Sequence, residues 1–91
     1  MALTKGCQQL VAEANARIRT IPTQEAIARL GDPGVVFVDL RDPRELERDG
    51  MIPGAFHAPR GMVEFWIDPD SPYFKDIFGS GREFWFCCAS A

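Results

Sequence analysis

Ninety-one residues allow one small domain, and a chain that is 46% hydrophobic and 25% charged is neither collagen-like nor disordered. A net charge of −3 with no basic stripe argues against nucleic acid as a partner, and no apolar run approaches the ~20 residues of a membrane span. Three cysteines, two of them adjacent, and a single histidine give neither a disulfide framework nor the ligand spacing of a zinc site. Reduced thiols in a cytoplasmic setting are expected, and the first residues lack the apolar region of a secretory signal. Seven Phe, two Trp and one Tyr predict an aromatic core.

In chain order, residues 4–18 read as a helix, with Leu10, Val11, Ala14 and Ile18 forming a narrow apolar stripe packed on the domain. Residues 19–22 read as a short strand. Thr23 is the expected N-cap of a second helix carrying Ile27 and Leu30, which Gly31-Asp32-Pro33-Gly34 ends. Val35-Val36-Phe37-Val38-Asp39-Leu40 is a continuous β-branched run between turn signals, as in a strand buried on both faces of a parallel sheet. Asp39, near its carboxyl end, is either tied to loop backbone or part of a site.

Asp42-Pro43-Arg44-Glu45 opens the next helix with a capping box and a proline at the first helical position, and Gly50 closes it with a left-handed residue. Ile52-Pro53-Gly54 is a turn and residues 55–58 are extended. Residues 61–67 form one or two helical turns. Ser71 is expected to cap a short helix through Phe78, Gly79-Ser80-Gly81 breaks it, and a last strand runs from Arg82 or Glu83 to Cys88. Strands alternating with helices specify α/β with a small, mainly parallel sheet flanked by helices.

Ligands of open α/β sheets bind beyond the carboxyl ends of the strands. Cys88 ends a strand and is the first candidate for a catalytic residue. A free thiol has a pKa of about 8.5, and loop amides can lower it toward the reactive thiolate. The residues alone leave Cys88 open between a nucleophile and a buried apolar thiol. Cys87 points to the opposite face as packing. Arg41 and Arg60 follow strand ends on the same rim and are the candidates for holding an anionic substrate, with pairing to Asp39 the other role open to Arg41. His57 reads as structural.

Two stretches together resemble the rhodanese family of sulfurtransferases. Val36-Phe37-Val38-Asp39-Leu40-Arg41-Asp42-Pro43-Arg44-Glu45-Leu46, followed by Met51-Ile52-Pro53-Gly54-Ala55-Phe56-His57-Ala58-Pro59, is similar to the family pattern VDxR…E(Y/L/F)…HIPGAxNxP. Glu83-Phe84-Trp85-Phe86-Cys87-Cys88-Ala89-Ser90 resembles the strand entering the family's active-site loop. Met51 stands where the family usually has His, and His57 where Asn is common. The likeness covers residues 19–91, with residues 1–18 as an N-terminal helical extension. It implies that Cys88 carries a persulfide and that Ala89 and Ser90 belong to the substrate-binding loop. The implied activity moves sulfane sulfur from thiosulfate or a similar small-molecule donor to a thiol or cyanide acceptor, without metal or organic cofactor.

The family loop reads Cys-x-x-Gly-x-Arg, whereas Ala91 stands at the Gly position. The resemblance therefore implies a partial domain whose C-terminal part is missing. It also implies impaired activity and an uncovered sheet edge prone to self-association or completion by a second chain. A non-catalytic binding or regulatory module is the alternative. Cell-cycle phosphatases and arsenate reductases share the fold, so phosphate or arsenate chemistry is not separated from sulfur chemistry by these residues.

Overall fold

The computed structural model describes residues 4–88. Its elements are α1 (Cys7–Arg17), α2 (Thr23–Ala28), β1 (Val35–Asp39), α3 (Pro43–Asp49), β2 (Phe56–His57), a 3-10 turn at Arg60–Met62, α4 (Val63–Ile67), a second 3-10 turn at Asp76–Gly79, and β3 (Glu83–Cys87). Among the described residues the strands form one three-stranded, wholly parallel sheet in the order β2-β1-β3. This is the α/β architecture that the alternation of strand and helix signals predicts.

The β-branched run of β1 lies at the centre because it can be buried on both sides. Register aligns Val36 with Phe84 and Val38 with both Phe56 and Phe86, so these residues share a face. On that face Val36, Val38 and Ala58 are buried beneath Phe56, Val63, Trp66, Ile77, Phe78 and Phe84. Phe56 meets Trp66 and Phe78 edge-on at centroid distances of 6.0 and 5.7 Å, the geometry that aromatic quadrupoles favour. On the other face Phe37 packs edge-on against the buried Trp85 at 5.5 Å, and the Arg29 guanidinium lies 5.2 Å from the Trp85 ring.

Val38 is fully buried at the centre of the only core cluster found among the described residues. Val38→Ala removes two methyl groups from a fully buried site packed by both aliphatic and aromatic side chains. The expected loss is about 2 kcal/mol, read as a lower urea midpoint with an unchanged slope.

Local chemistry explains α3 closely. The Asp42 carboxylate accepts from the Arg44 amide at 2.8 Å while Glu45 accepts from the Asp42 amide at 3.4 Å, and Pro43 starts the helix. Gly50 closes it with φ +80° and ψ 178°. The φ is positive as expected, but the extended ψ is not that of a left-handed helical residue. It turns the Gly50 carbonyl toward Arg41.

Four expectations are corrected. Residues 19–22 are not in the sheet, because Pro22 has no amide proton and serves instead as the N-cap of α2, one position before Thr23. The helix of residues 4–18 is shorter, and Leu10, Val11 and Ile18 are exposed rather than packed on the domain. Ser71 accepts from the Tyr73 amide at 3.1 Å in a local turn and caps no helix. The reason is tertiary: the Lys75 amide donates to the Trp66 carbonyl at 2.9 Å, which takes residue 75 out of any helical ladder, and helical turns begin only at Asp76. Finally, β1 ends at Asp39 and β3 at Cys87, one residue earlier than expected at each end, although the Leu40 amide still donates to the Cys87 carbonyl at 2.9 Å.

Candidate active site

The carboxyl rim of the sheet is built from the turn that follows β1. Asp39 is aligned with His57 on one side and Cys87 on the other. Its side chain is only 1% exposed. Such burial of a carboxylate requires full satisfaction, and Arg41 provides it. The Arg41 amide donates to Asp39 Oδ1 at 3.0 Å, Arg41 Nε donates to both carboxylate oxygens at 3.0 and 3.2 Å, and Nη2 donates to Oδ2 at 2.9 Å. The Arg41 hydrogen bonds hold the Asp39 carboxyl below the usual carboxylate range, outweighing the opposing effect of burial.

Two further contacts complete the turn. Arg41 Nη2 also donates to the Gly50 carbonyl at 2.7 Å, tying the turn to the end of α3. His57 Nε2 lies 2.7 Å from the Arg41 carbonyl. A carbonyl can only accept, so Nε2 carries the proton, and His57 has the structural role expected of it. Gly50 carries no side-chain signal and is nine residues from Arg41, so its carbonyl as a partner of that arginine was not legible in the sequence.

β3 brings the two adjacent cysteines to this rim. Cys87 is half-buried on the Asp39 face, where its Sγ donates to the Val38 carbonyl at 3.5 Å. Burial first, and then the Asp39 charge, push the Cys87 thiol up; Arg41 opposes them. It is held as a protonated packing group. Cys88 is the next residue and is exposed. Its peptide is fixed by the bond between the Leu40 amide and the Cys87 carbonyl.

Arg60 reaches the same rim through its backbone, its amide donating to the Leu40 carbonyl at 3.3 Å. Its side chain is 66% exposed and pairs with Glu64 one helical turn along. The structure thus places Cys88 one residue beyond the Cys87 carbonyl that the Leu40 amide binds, with the Arg60 amide on the Leu40 carbonyl, while Arg41 Nε and Nη2 are occupied by Asp39 and the Gly50 carbonyl. Ala89 and Ser90 lie outside the described residues. Among the described residues, no three His, Cys, Asp or Glu side chains group as metal ligands.

A family model described as the rhodanese-like domain matches residues 22–91. The chain belongs to the rhodanese-like domain family. A solved protein from Rhodopseudomonas palustris CGA009, described as of unknown function and a possible tyrosine phosphatase, is similar to this rhodanese-like domain at 53% identity and a TM-score of 0.92. The similarity covers 98% of this chain and 69% of that one. No curated protein matches the chain. No described helix of this rhodanese-like domain is long and apolar enough to cross a membrane.

Proposed function

We propose that this rhodanese-like domain is a sulfurtransferase that carries sulfane sulfur on Cys88. The observation that supports the reading best is an exposed cysteine immediately beyond the carboxyl end of a parallel strand, beside the Asp39–Arg41 turn of a rhodanese-like domain. The Cys88 thiolate attacks the outer sulfur of thiosulfate. A sulfur–sulfur bond forms to Cys88 as the one in the donor breaks, and sulfite leaves with the electron pair. An acceptor thiolate then attacks the outer sulfur of the Cys88 persulfide, forming the acceptor persulfide and returning the Cys88 thiolate; cyanide in the same role gives thiocyanate. The two displacements balance without an external oxidant. Arg60 lies on this rim as the candidate attractor of the donor anion. We place the reaction in the reducing cytoplasm, where cysteines stay reduced.

The test is intact-protein mass spectrometry after incubation with thiosulfate, with peptide mapping. The expected result is a gain of one sulfur on Cys88, reversed by a small thiol. No gain would overturn the reading, and no gain together with no turnover of an aryl phosphate would leave a non-catalytic binding module.

The likeness to a possible tyrosine phosphatase favours a second reading, in which the same thiolate attacks phosphorus. Turnover of an aryl phosphate with no sulfur gain on Cys88 would select it.

We also propose that β3 mediates self-association with a second copy. It is an edge strand among the described residues, and Phe86 on it is 44% exposed. Phe86→Lys is expected to lower the sedimentation-average mass at high protein concentration. An identical, monomeric mass for both proteins would exclude association through this edge.

A further inference from the structure

We propose that Arg41 is a positioning residue for Cys88, and that it does not hold the negative charge of the sulfur donor. The inference rests on the reading of Cys88 as the nucleophile. The Arg41 side chain is 17% exposed, and both its Nε and Nη2 are used: Nε binds the two Asp39 oxygens, and Nη2 bridges Asp39 and the Gly50 carbonyl. An arriving anion would compete with a buried carboxylate already seated on the guanidinium fork. Little of the positive charge is left to offer it.

The same bonds do something else. Asp39 holds both the Arg41 side chain and the Arg41 amide, so the residue is clasped at its two ends. His57 binds the Arg41 carbonyl from the β2 side. The Leu40 carbonyl receives the Arg60 amide at 3.3 Å, and the Leu40 amide holds the Cys87 carbonyl at 2.9 Å. That carbonyl belongs to the peptide joining Cys87 to Cys88. A continuous set of bonds therefore runs from Gly50 through Arg41 and Asp39 to the peptide that delivers Cys88. Loosening Arg41 frees the turn and, one bond later, the direction in which the Cys88 side chain leaves the sheet.

Three variants separate positioning from charge: Arg41→Ala, Arg41→Lys and Asp39→Asn. Lysine keeps the charge but has no planar fork to bridge Asp39 and Gly50. Asparagine removes a negative charge, which on a purely electrostatic account would make the rim more positive and the thiolate easier to form. Two readouts are taken: kcat and KM for thiosulfate-dependent thiocyanate formation, and the pH midpoint of peptide-mapped Cys88 alkylation by iodoacetamide.

Positioning predicts that all three variants lower kcat by about tenfold to a hundredfold, the scale of a misplaced reacting group, with KM for thiosulfate nearly unchanged. It also predicts that the alkylation midpoint moves in the same direction in all three. A wild-type kcat in Arg41→Lys would overturn the proposal. So would a raised KM at constant kcat, or opposite midpoint shifts in Arg41→Ala and Asp39→Asn. If the parent protein transfers no sulfur, the sulfurtransferase reading fails, and the alkylation midpoints still decide the positioning role. If Asp39→Asn does not fold by circular dichroism, the comparison of Arg41→Lys with Arg41→Ala carries the test.

Discussion

A Cys88→Ser protein is expected to gain no sulfur from thiosulfate and to lose transfer activity to background, while Cys87→Ser keeps most of both. The two cysteines are adjacent, yet their surroundings differ in ways that decide reactivity. Cys87 is half-buried, donates to the Val38 carbonyl at 3.5 Å, and sits where burial and Asp39 disfavour its thiolate. A serine at 87 can make the same donation. Cys88 stands exposed just past β3. Serine there cannot supply an anionic nucleophile near neutral pH, so the first displacement has no route. Intact-mass measurement of the three proteins checks this directly. Sulfur mapped to Cys87 in the parent protein would reject the assignment of roles.

The second large effect is on stability. Asp39→Ala is expected to cost roughly 3 kcal/mol, at the low end for breaking a buried pair because Arg41 keeps some contact with water. The loss arises less from the missing attraction than from the Arg41 fork left without its acceptor. It also carries a pH signature. The Asp39 carboxyl titrates below its ordinary 3.8 in the folded protein, chiefly through the Arg41 hydrogen bond. A depressed carboxylate pKa contributes stability that is fully present above the unfolded value and lost as pH falls through the folded one. The difference in unfolding free energy between parent and variant should therefore be constant above about pH 5 and narrow on acidification below 4. Asp32, Asp42, Asp49 and Glu64 are lowered in the same sense. The parent–variant difference isolates Asp39, whereas the parent curve alone does not. Urea unfolding across that range is the measurement, and a difference unchanged down to pH 2 would refute the account.

The parts legible in the sequence were those whose cause is local. β1 was legible because a β-branched run between turn signals has few alternatives, and its centre, Val38, is fully buried. α3 was legible because Asp42, Pro43 and Glu45 satisfy the first-turn amides from within the same few residues. The expectations that failed depended on distant partners. Residues 19–22 have a strand-like composition, but a strand is defined by a neighbour, and Pro22 is used as a cap. Ser71 has the chemistry of a helix cap, yet the bond from Lys75 to Trp66 withdraws the residues it would have capped. Leu10, Val11 and Ile18 recur at helical spacing, but spacing does not say whether another surface meets the stripe.

At the rim the same division holds. The sequence by itself determined the α/β class, the two adjacent cysteines at a strand end and the Asp39–Arg41 spacing, because periodicity and near-neighbour chemistry act within a few residues. It also supplied the family, since the residues resembling the rhodanese pattern lie within the span that the family model matches. Only the tertiary structure decided that Cys87 faces the buried carboxylate while Cys88 is exposed, and that the Arg41 fork closes on Asp39 and the Gly50 carbonyl. Strand register and the turning of a guanidinium toward a backbone carbonyl nine residues away depend on which chains lie side by side. No short pattern encodes that, because the competing partners for a charged side chain become neighbours only once the sheet has formed.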